Sequence, residues 1–135
     1  MTVLVDTSVW SLALRRSLPV SAAVTDELAG LVRRGEVVMI GPIRQEILSG
    51  VKDTTQFKRL RDHLRAFPDV SLESADFEEA ATCFNRCRAK GIQGSNTDFL
   101  MCAVAGRRGL AIFTTDGDFT EFRRVLPLTL HRVDG

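Results

Sequence analysis

The sequence predicts an α/β fold with a central parallel sheet of four to five strands and helices on both faces. Short runs of β-branched and apolar residues, such as 3–5 and 37–40, alternate with longer amphipathic stretches of helical period. The composition, 44% hydrophobic and 26% charged, is that of a globular protein and excludes disordered and fibrous classes. A length of 135 residues is typical of one domain, so we expect residues 1–135 to form a single unit.

Five short apolar runs are the candidate strands. They are rich in Val, Ile and Leu and are bounded by Gly, Pro or polar residues, as strands commonly are. The predicted strands cover 3–5, 37–40, 70–72, 110–113 and 128–130.

The helices are predicted from their boundary residues and apolar spacing. Asp6 can cap a short first helix, Gly35 ends the second, and Pro42 suits the first turn of the third. Ser74 is the expected cap of a long helix whose buried stripe includes Phe77. The longer predicted helices cover 19–34, 41–50, 54–66, 74–90 and 97–108, with a short one after residue 116.

Charge and cysteine content exclude several classes of protein. The formal net charge is +1, and no apolar run approaches the roughly 18–20 residues of a membrane span. The first residues lack the positive start of a secretory leader. Three cysteines are an odd number without a framework pattern, which suits a reducing compartment. We therefore expect a cytoplasmic protein with no membrane partner.

Four acidic residues are predicted at one edge of the sheet, where ligands of such folds bind. Asp6 and Asp116 follow the strands over 3–5 and 110–113, Glu46 lies one turn into the helix after 37–40, and Asp98 opens the helix before 110–113. Two carboxylates about 5 Å apart repel by roughly 3 kcal/mol at an effective dielectric of 20. Such a cluster either raises some pKa values or binds a hard cation, for which oxygen-only ligands select Mg²⁺ or Mn²⁺. This is the chemistry of a metal-dependent nuclease.

Four segments carry a family resemblance over the whole chain. They are VLVDTS from residue 3, IRQE from residue 43, SNTD from residue 95 and TTDGDF from residue 114. Together they resemble the PIN domain, specifically VapC-type toxin ribonucleases, and imply a PIN-like α/β/α sandwich. The resemblance makes Asp6, Glu46, Asp98 and Asp116 the catalytic and metal-binding acids. It implies supporting roles, orienting the carboxylates or the bound water, for Thr7, Ser8, Asn96, Thr114 and Asp118.

The same resemblance implies a function. A Mg²⁺-dependent endoribonuclease would direct a metal-activated water at an RNA phosphodiester, with either Glu46 or Asp116 taking its proton. Similarity to the family also implies a cognate VapB-type antitoxin that inhibits the enzyme, a homodimer, a higher assembly with the antitoxin, and a tRNA or rRNA substrate. Magnesium is the expected cofactor, with manganese as a substitute.

The arginines favour a polyanionic partner. If metal neutralises the four acids, thirteen of the seventeen acidic residues remain against eighteen basic ones. Arginine pairs well with phosphate, and Arg44, Arg15 and Arg16 are the predicted RNA contacts.

Each feature also has an ordinary explanation when taken alone. A strand-end Asp commonly caps a helix, and Asp-Gly-Asp commonly forms a turn. The alternative function is a catalytically inactive PIN-like module that binds RNA or protein. Such a module is expected to lose acids, and this chain retains all four. A dinucleotide enzyme is excluded because no Gly-rich turn follows the first strand.

Overall fold

A computed structural model describes residues 2–14 and 22–133 and confirms the α/β class. No helix among these residues is long and apolar enough to cross a bilayer. In chain order the elements are β1 (Val3–Val5), α1 (Thr7–Leu14), α2 (Ala22–Arg33), β2 (Val37–Val38), α3 (Gly41–Leu48), α4 (Thr54–Leu64), α5 (Ser74–Ala89), α6 (Asn96–Arg108), β3 (Ala111–Phe113) and α7 (Asp118–Arg123).

The described sheet is parallel, with β1 at its centre in the order β2-β1-β3. Val3 pairs with Val37 on one side and with Ala111 on the other. All three residues of β1 are buried, as expected of a strand covered on both faces. Because the strands are parallel, the residues that follow β1 and β3 emerge at one edge of the sheet.

The prediction of four to five strands was slightly too high for the described residues, which contain three. The two further candidates, 70–72 and 128–130, are reduced to single parallel bridges, Met39 to Asp69 and Ile112 to Leu130. Pro68 and Pro127 cannot donate to a ladder, and both segments are diverted by other bonds. Arg108 binds the carbonyl of Ser71, and the Leu128 N–H bonds back to Leu126.

Helix α6 is the central helix of the core. Seven consecutive residues, Phe99 to Ala105, are buried, so this helix is apolar on every side and α5 packs along it. The predicted buried stripe of α5 was partly wrong. Cys83 and Cys87 face the core, whereas Phe77 is 53% exposed, because it lines an open cavity beside the start of α6 and is not packed into the core.

A buried ion-pair cluster joins the start of α5 to the end of α6. Asp76 accepts hydrogen bonds from Arg107 at 2.6 Å and from Arg108 at 2.5 and 2.9 Å. The Arg108 guanidinium holds the pKa of Asp76 well below its ordinary value, despite the burial that opposes this. Asp76 also accepts from the backbone of Glu73, which caps α5 in place of the predicted Ser74. The cluster fixes how α5 lies against the helix that carries Asp98.

Candidate active site

Asp6 lies directly after β1 and is almost buried, with 7% of its surface exposed. Its Oδ1 accepts the backbone N–H of Thr7 at 2.8 Å. Its Oδ2 accepts the hydroxyls of Ser8 at 2.9 Å and Thr114 at 2.8 Å. Three donors therefore hold the carboxylate in one orientation, so burial of its charge is compensated.

The two hydroxyls that orient Asp6 also organise the segment after β3. The Asp116 N–H donates to Thr114 Oγ1, and the Thr115 N–H donates to Ser8 Oγ, each at 3.0 Å. Each hydroxyl thus donates to Asp6 and accepts from this backbone. The ends of β1 and β3 are joined by side chains as well as by the sheet.

Glu46 is connected to the same edge through Thr7. Glu46 lies on α3, and its Oε1 accepts the Thr7 hydroxyl at 2.9 Å. Pro42 in the first turn and the packing of α3 against α1 place this face of the helix beside the end of β1. The structure therefore brings Glu46 next to the residue that follows Asp6.

Asp98 lies in the first turn of α6, where a capping box holds it. Ser95 Oγ accepts the Asp98 N–H at 3.0 Å, and Asp98 Oδ2 accepts the Ser95 N–H at 3.1 Å. Loss of solvent raises the pKa of Asp98 above its ordinary value, the bonds from Ser95 lower it, and the charges of Asp6 and Asp116 raise it. These charges act on Asp98 because the acids share one edge.

Three carboxylates form the tightest acidic cluster found among the described residues. One oxygen each from Asp98, Asp116 and Asp118 lies within 4.8 Å of the others. Asp118 is exposed, and its N–H donates to Asp116 Oδ1 at 2.9 Å, which fixes the turn between them. Oxygens on opposite sides of a Mg²⁺ ion are about 4 Å apart, so this spacing suits a hard divalent cation.

The predicted acids therefore divide into two groups. Asp98 and Asp116 form the cluster together with Asp118, for which the family resemblance implied only a supporting role. The charge of Asp6 acts on Asp98, so Asp6 lies near the cluster, and Glu46 is joined to the neighbouring residue Thr7 by a hydrogen bond. Asp118 joins the cluster because of the tight turn over 116–118. The Asp-Gly-Asp pattern predicts a turn there but not that both of its carboxylates face Asp98.

The remaining predicted residues have varied positions. Asn96 is the exposed first residue of α6 and lines a neighbouring apolar cavity. The Arg44 guanidinium donates to the carbonyls of Leu64 at 2.9 Å and Phe67 at 2.7 Å, and to Asp69. Arg44 thus clamps the end of α4 onto α3, and an RNA phosphate would have to compete with these bonds. Arg15 and Arg16 lie outside the described residues.

The comparisons with known proteins agree with this architecture. The family model described as the PIN domain matches residues 3–125. The chain belongs to the PIN-domain family. This confirms the family predicted from the four sequence segments.

Several relatives resemble this PIN domain over nearly its full length. Ribonuclease VapC11 of Mycobacterium tuberculosis is 30% identical over 128 residues, covering 93% of this chain and 95% of the relative. The VapC ribonuclease Mb1587 of Mycobacterium bovis matches with the same identity and coverage.

Solved structures show the same fold. A chain in the crystal structure of VapBC2 from Rickettsia felis, bound to a promoter DNA fragment, superposes with a TM-score of 0.77 at 17% identity. That match covers 99% of this PIN domain and 100% of the other chain. A chain of FitAcB from Neisseria gonorrhoeae gives a TM-score of 0.74 at 17% identity, covering 97% of each chain.

Proposed function

We propose that this PIN domain is a metal-dependent endoribonuclease and the toxin of a toxin–antitoxin pair. The observation that carries the proposal is the cluster of Asp98, Asp116 and Asp118 oxygens within 4.8 Å, at the edge of the sheet where Asp6 emerges. The names of the VapC ribonuclease relatives support an RNA substrate. We assign the substrate to the tRNA or rRNA class, as the resemblance implies.

Magnesium is the proposed cofactor, with manganese as a substitute. The donor set of the cluster consists of carboxylate oxygens, and no histidine or cysteine belongs to it among the described residues. Such donors select Mg²⁺ or Mn²⁺ over zinc or copper. A divalent cation held there supplies Lewis-acid activation of water and neutralises charge on the phosphate. Asp98, Asp116 and Asp118 would hold it, and Asp6 adds charge that favours it.

Glu46 is the proposed general base. Asp116 belongs to the three-oxygen cluster, and both oxygens of Asp6 already accept hydrogen bonds, whereas Glu46 keeps one oxygen that Thr7 does not occupy. Thr7 occupies Glu46 Oε1, so Oε2 is the oxygen that accepts the proton of the attacking water. Thr7 therefore orients the base, while Ser8 and Thr114 orient Asp6. The departing oxygen takes its proton from solvent.

The proposed biological setting follows from the family and from its solved complexes. The structural neighbour from Rickettsia felis is described as VapBC2. We propose that this chain likewise binds a cognate VapB-type antitoxin, forms a homodimer, and assembles further with the antitoxin in the cytoplasm. Residues 1–135 are proposed to act as a single domain.

RNA cleavage tests the enzymatic proposal. Purified wild-type protein is incubated with total RNA in the presence of Mg²⁺ or of EDTA, and the Asp98→Asn variant is incubated with the same RNA in Mg²⁺. Cleavage in Mg²⁺ that is lost in EDTA and lost by at least a hundredfold in Asp98→Asn is expected, on the order of the loss seen when a charge-stabilising group is removed. Asp26→Asn on α2, an exposed acid far along the chain from the cluster, is the matched control and keeps full activity. Cleavage that persists in EDTA excludes the metal mechanism.

Growth measurements test the toxin proposal separately. Induced expression of the wild-type chain is expected to arrest growth, and the Asp98→Asn chain is not. Equal arrest by both chains would show that toxicity does not come from this site. If the wild-type chain cleaves RNA but does not affect growth, the nuclease proposal is kept and the toxin proposal is wrong.

A further inference from the structure

We propose that a basic cleft between the end of α5 and the end of α7 binds a backbone phosphate of the RNA, next to the nucleotide that is cut. This inference rests on the proposed function, because it concerns how the same substrate is held. It assigns a role to residues that the acidic site does not use.

The cleft has a volume of about 530 Å³ and carries three positive charges on its lining. The rest of its lining consists of apolar side chains. No carboxylate belongs to the lining among the described residues. The lining residues are Arg86, Ala89, Lys90, Ile92, Arg124 and Val125. Three basic side chains on one concave surface favour an anionic ligand, and arginine and lysine donors match phosphate oxygens.

The walls of the cleft are fixed, while its charges remain accessible. Arg86 Nη2 donates to the Val125 carbonyl at 3.0 Å, which ties α5 to the segment after α7. Arg124 pairs with Glu121 at 2.7 Å, but the two side chains are 71% and 52% exposed. Exposed pairs of this kind add little to stability, so a phosphate can displace Glu121 at little cost. Lys90 is exposed at the end of α5.

Helix α7 sets the distance from the cleft to the acids. It begins at Asp118, a member of the acidic cluster, and Arg124 follows its last residue. Six residues at 1.5 Å each place the two about 9 Å apart along the helix. The cleft thus lies within the reach of the next phosphates of an RNA strand that crosses the acids and continues towards the end of this helix.

A second cavity lies between the basic cleft and the start of α6, which carries Asp98. A smaller cavity of about 200 Å³, lined in part by Arg88, Gln93 and Gly94, shares Ile92 with the basic cleft. Gly94 directly precedes Ser95, whose hydroxyl caps Asp98. Gly94 is required there because a Cβ would lie 2.5 Å from the Phe122 ring. The concave surface, which carries the basic side chain of Arg88, thus continues from the cleft to the start of α6.

The proposed contact is with the backbone and carries no sequence preference. Arginine and lysine offer donors only, and phosphate contacts position a nucleic acid without reading its bases. The acids repel RNA in the absence of metal, so fixed positive charge one helix length away compensates for part of that repulsion.

Removal of two charges tests the cleft. Lys90→Ala with Arg124→Ala is compared with Arg33→Ala with Lys58→Ala, which removes the same charge from exposed positions on α2 and α4. All proteins carry Asp98→Asn so that the RNA is not cut, and thermal unfolding checks that each is folded. Binding of a fluorescent single-stranded RNA is measured over a range of salt concentrations.

The cleft variant is expected to lose about 25-fold in RNA affinity at about 0.1 M monovalent salt. Each phosphate contact to a single strand releases about 0.7 of a counterion, so the loss of two contacts lowers the logarithm of the affinity by about 1.4 at this salt concentration. The slope of log affinity against log salt is expected to fall in magnitude by about 1.4. The control is expected to change affinity by less than about threefold with an unchanged slope, because its charges lie away from the strand.

Two results would overturn the proposal. Equal losses in the cleft and control variants mean that only overall charge matters. A cleft variant that binds RNA as the control does, but loses affinity for a polyglutamate peptide, means that the cleft takes an acidic protein segment. Either result leaves the nuclease proposal intact if the wild-type chain cuts RNA in Mg²⁺, whereas failure to cut removes the nuclease proposal by itself.

Discussion

Thr114 Oγ1 donates a 2.8 Å hydrogen bond to Asp6 Oδ2 and accepts a 3.0 Å hydrogen bond from the Asp116 N–H. One hydroxyl therefore connects the acid after β1 with the acid after β3, although 108 residues separate Thr114 from Asp6. The relative position of two candidate catalytic acids depends on a residue that has no acidic chemistry of its own.

Thr114→Val tests this connection with a nearly isosteric change. Loss of the hydroxyl leaves Asp6 with two donors and the Asp116 N–H without its acceptor, so we expect metal affinity to fall by about 10–100-fold, the usual cost of removing an orienting bond. Titration calorimetry with Mn²⁺ measures it. Thr129→Val, at an exposed position, is the matched control. Equal Mn²⁺ affinity in both variants would show that the hydroxyl does not position the acids.

Asp118 and Glu46 are expected to differ in their effect on metal binding. Asp118 belongs to the three-oxygen cluster, whereas Glu46 lies outside it and is held by Thr7. Asp118→Asn is expected to weaken Mn²⁺ binding by about tenfold or more, and Glu46→Gln by less than about threefold, since only the first removes a ligand charge. Glu46→Gln nevertheless loses RNA cleavage. The reverse order of Mn²⁺ affinities contradicts the assignment of ligand and base.

Arg44 is expected to contribute to stability and little to RNA binding. Arg44→Ala leaves the carbonyls of Leu64 and Phe67 without their donor and should lower the free energy of unfolding by about 2–4 kcal/mol. Urea unfolding measures this, with the exposed Arg59→Ala on α4 as a control expected within about 0.5 kcal/mol. If the Arg44→Ala variant is as stable as the wild type but binds RNA much more weakly, the structural role is wrong and Arg44 is an RNA contact.

The Asp76 cluster predicts a specific dependence of stability on pH. The pKa of Asp76 is lower in the folded protein than in the unfolded chain. Its contribution to the free energy of unfolding is therefore complete above the unfolded-state pKa, and it declines as pH falls from the unfolded-state pKa towards the folded-state pKa. Asp76→Asn should cost about 3–5 kcal/mol at pH 7, because it breaks a buried pair. The gap between wild type and variant should narrow by about 1 kcal/mol at about pH 3, given an unfolded pKa of about 3.9.

Urea unfolding of both proteins at the two pH values measures this gap. Asp26→Asn, an exposed acid on α2, provides the baseline for loss of an ordinary carboxylate. A gap that stays constant or widens on acidification would mean that Asp76 is not held as an anion by Arg107 and Arg108.

The positions of the acids were predictable because they follow from chain topology. Parallel strands end at a common edge, so an Asp directly after β1 and another after β3 must lie near each other whatever the details of packing. Ser95 and Asp98 also carry a local capping signal that places this acid in the first turn of α6. These features depend on residues close in sequence or on strand direction alone.

The features that were missed depend on distant partners. Arg44 resembles a surface cation until the carbonyls of Leu64 and Phe67 are seen against it. Phe77 has helical spacing with the core residues, but it lines an open cavity beside α6 and stays half exposed. The burial of Asp76 depends on arginines more than thirty residues away. Periodicity within one helix cannot determine any of these.

The most direct test of the cation site is a crystal of this PIN domain grown or soaked in Mn²⁺ and measured at the manganese absorption edge. We predict an anomalous peak about 2.1 Å from one oxygen each of Asp98, Asp116 and Asp118, and no such peak in crystals of the Asp118→Asn variant soaked in the same way. A peak bound elsewhere, or clear density for three carboxylates that point away from one another with no metal between them, would contradict the account.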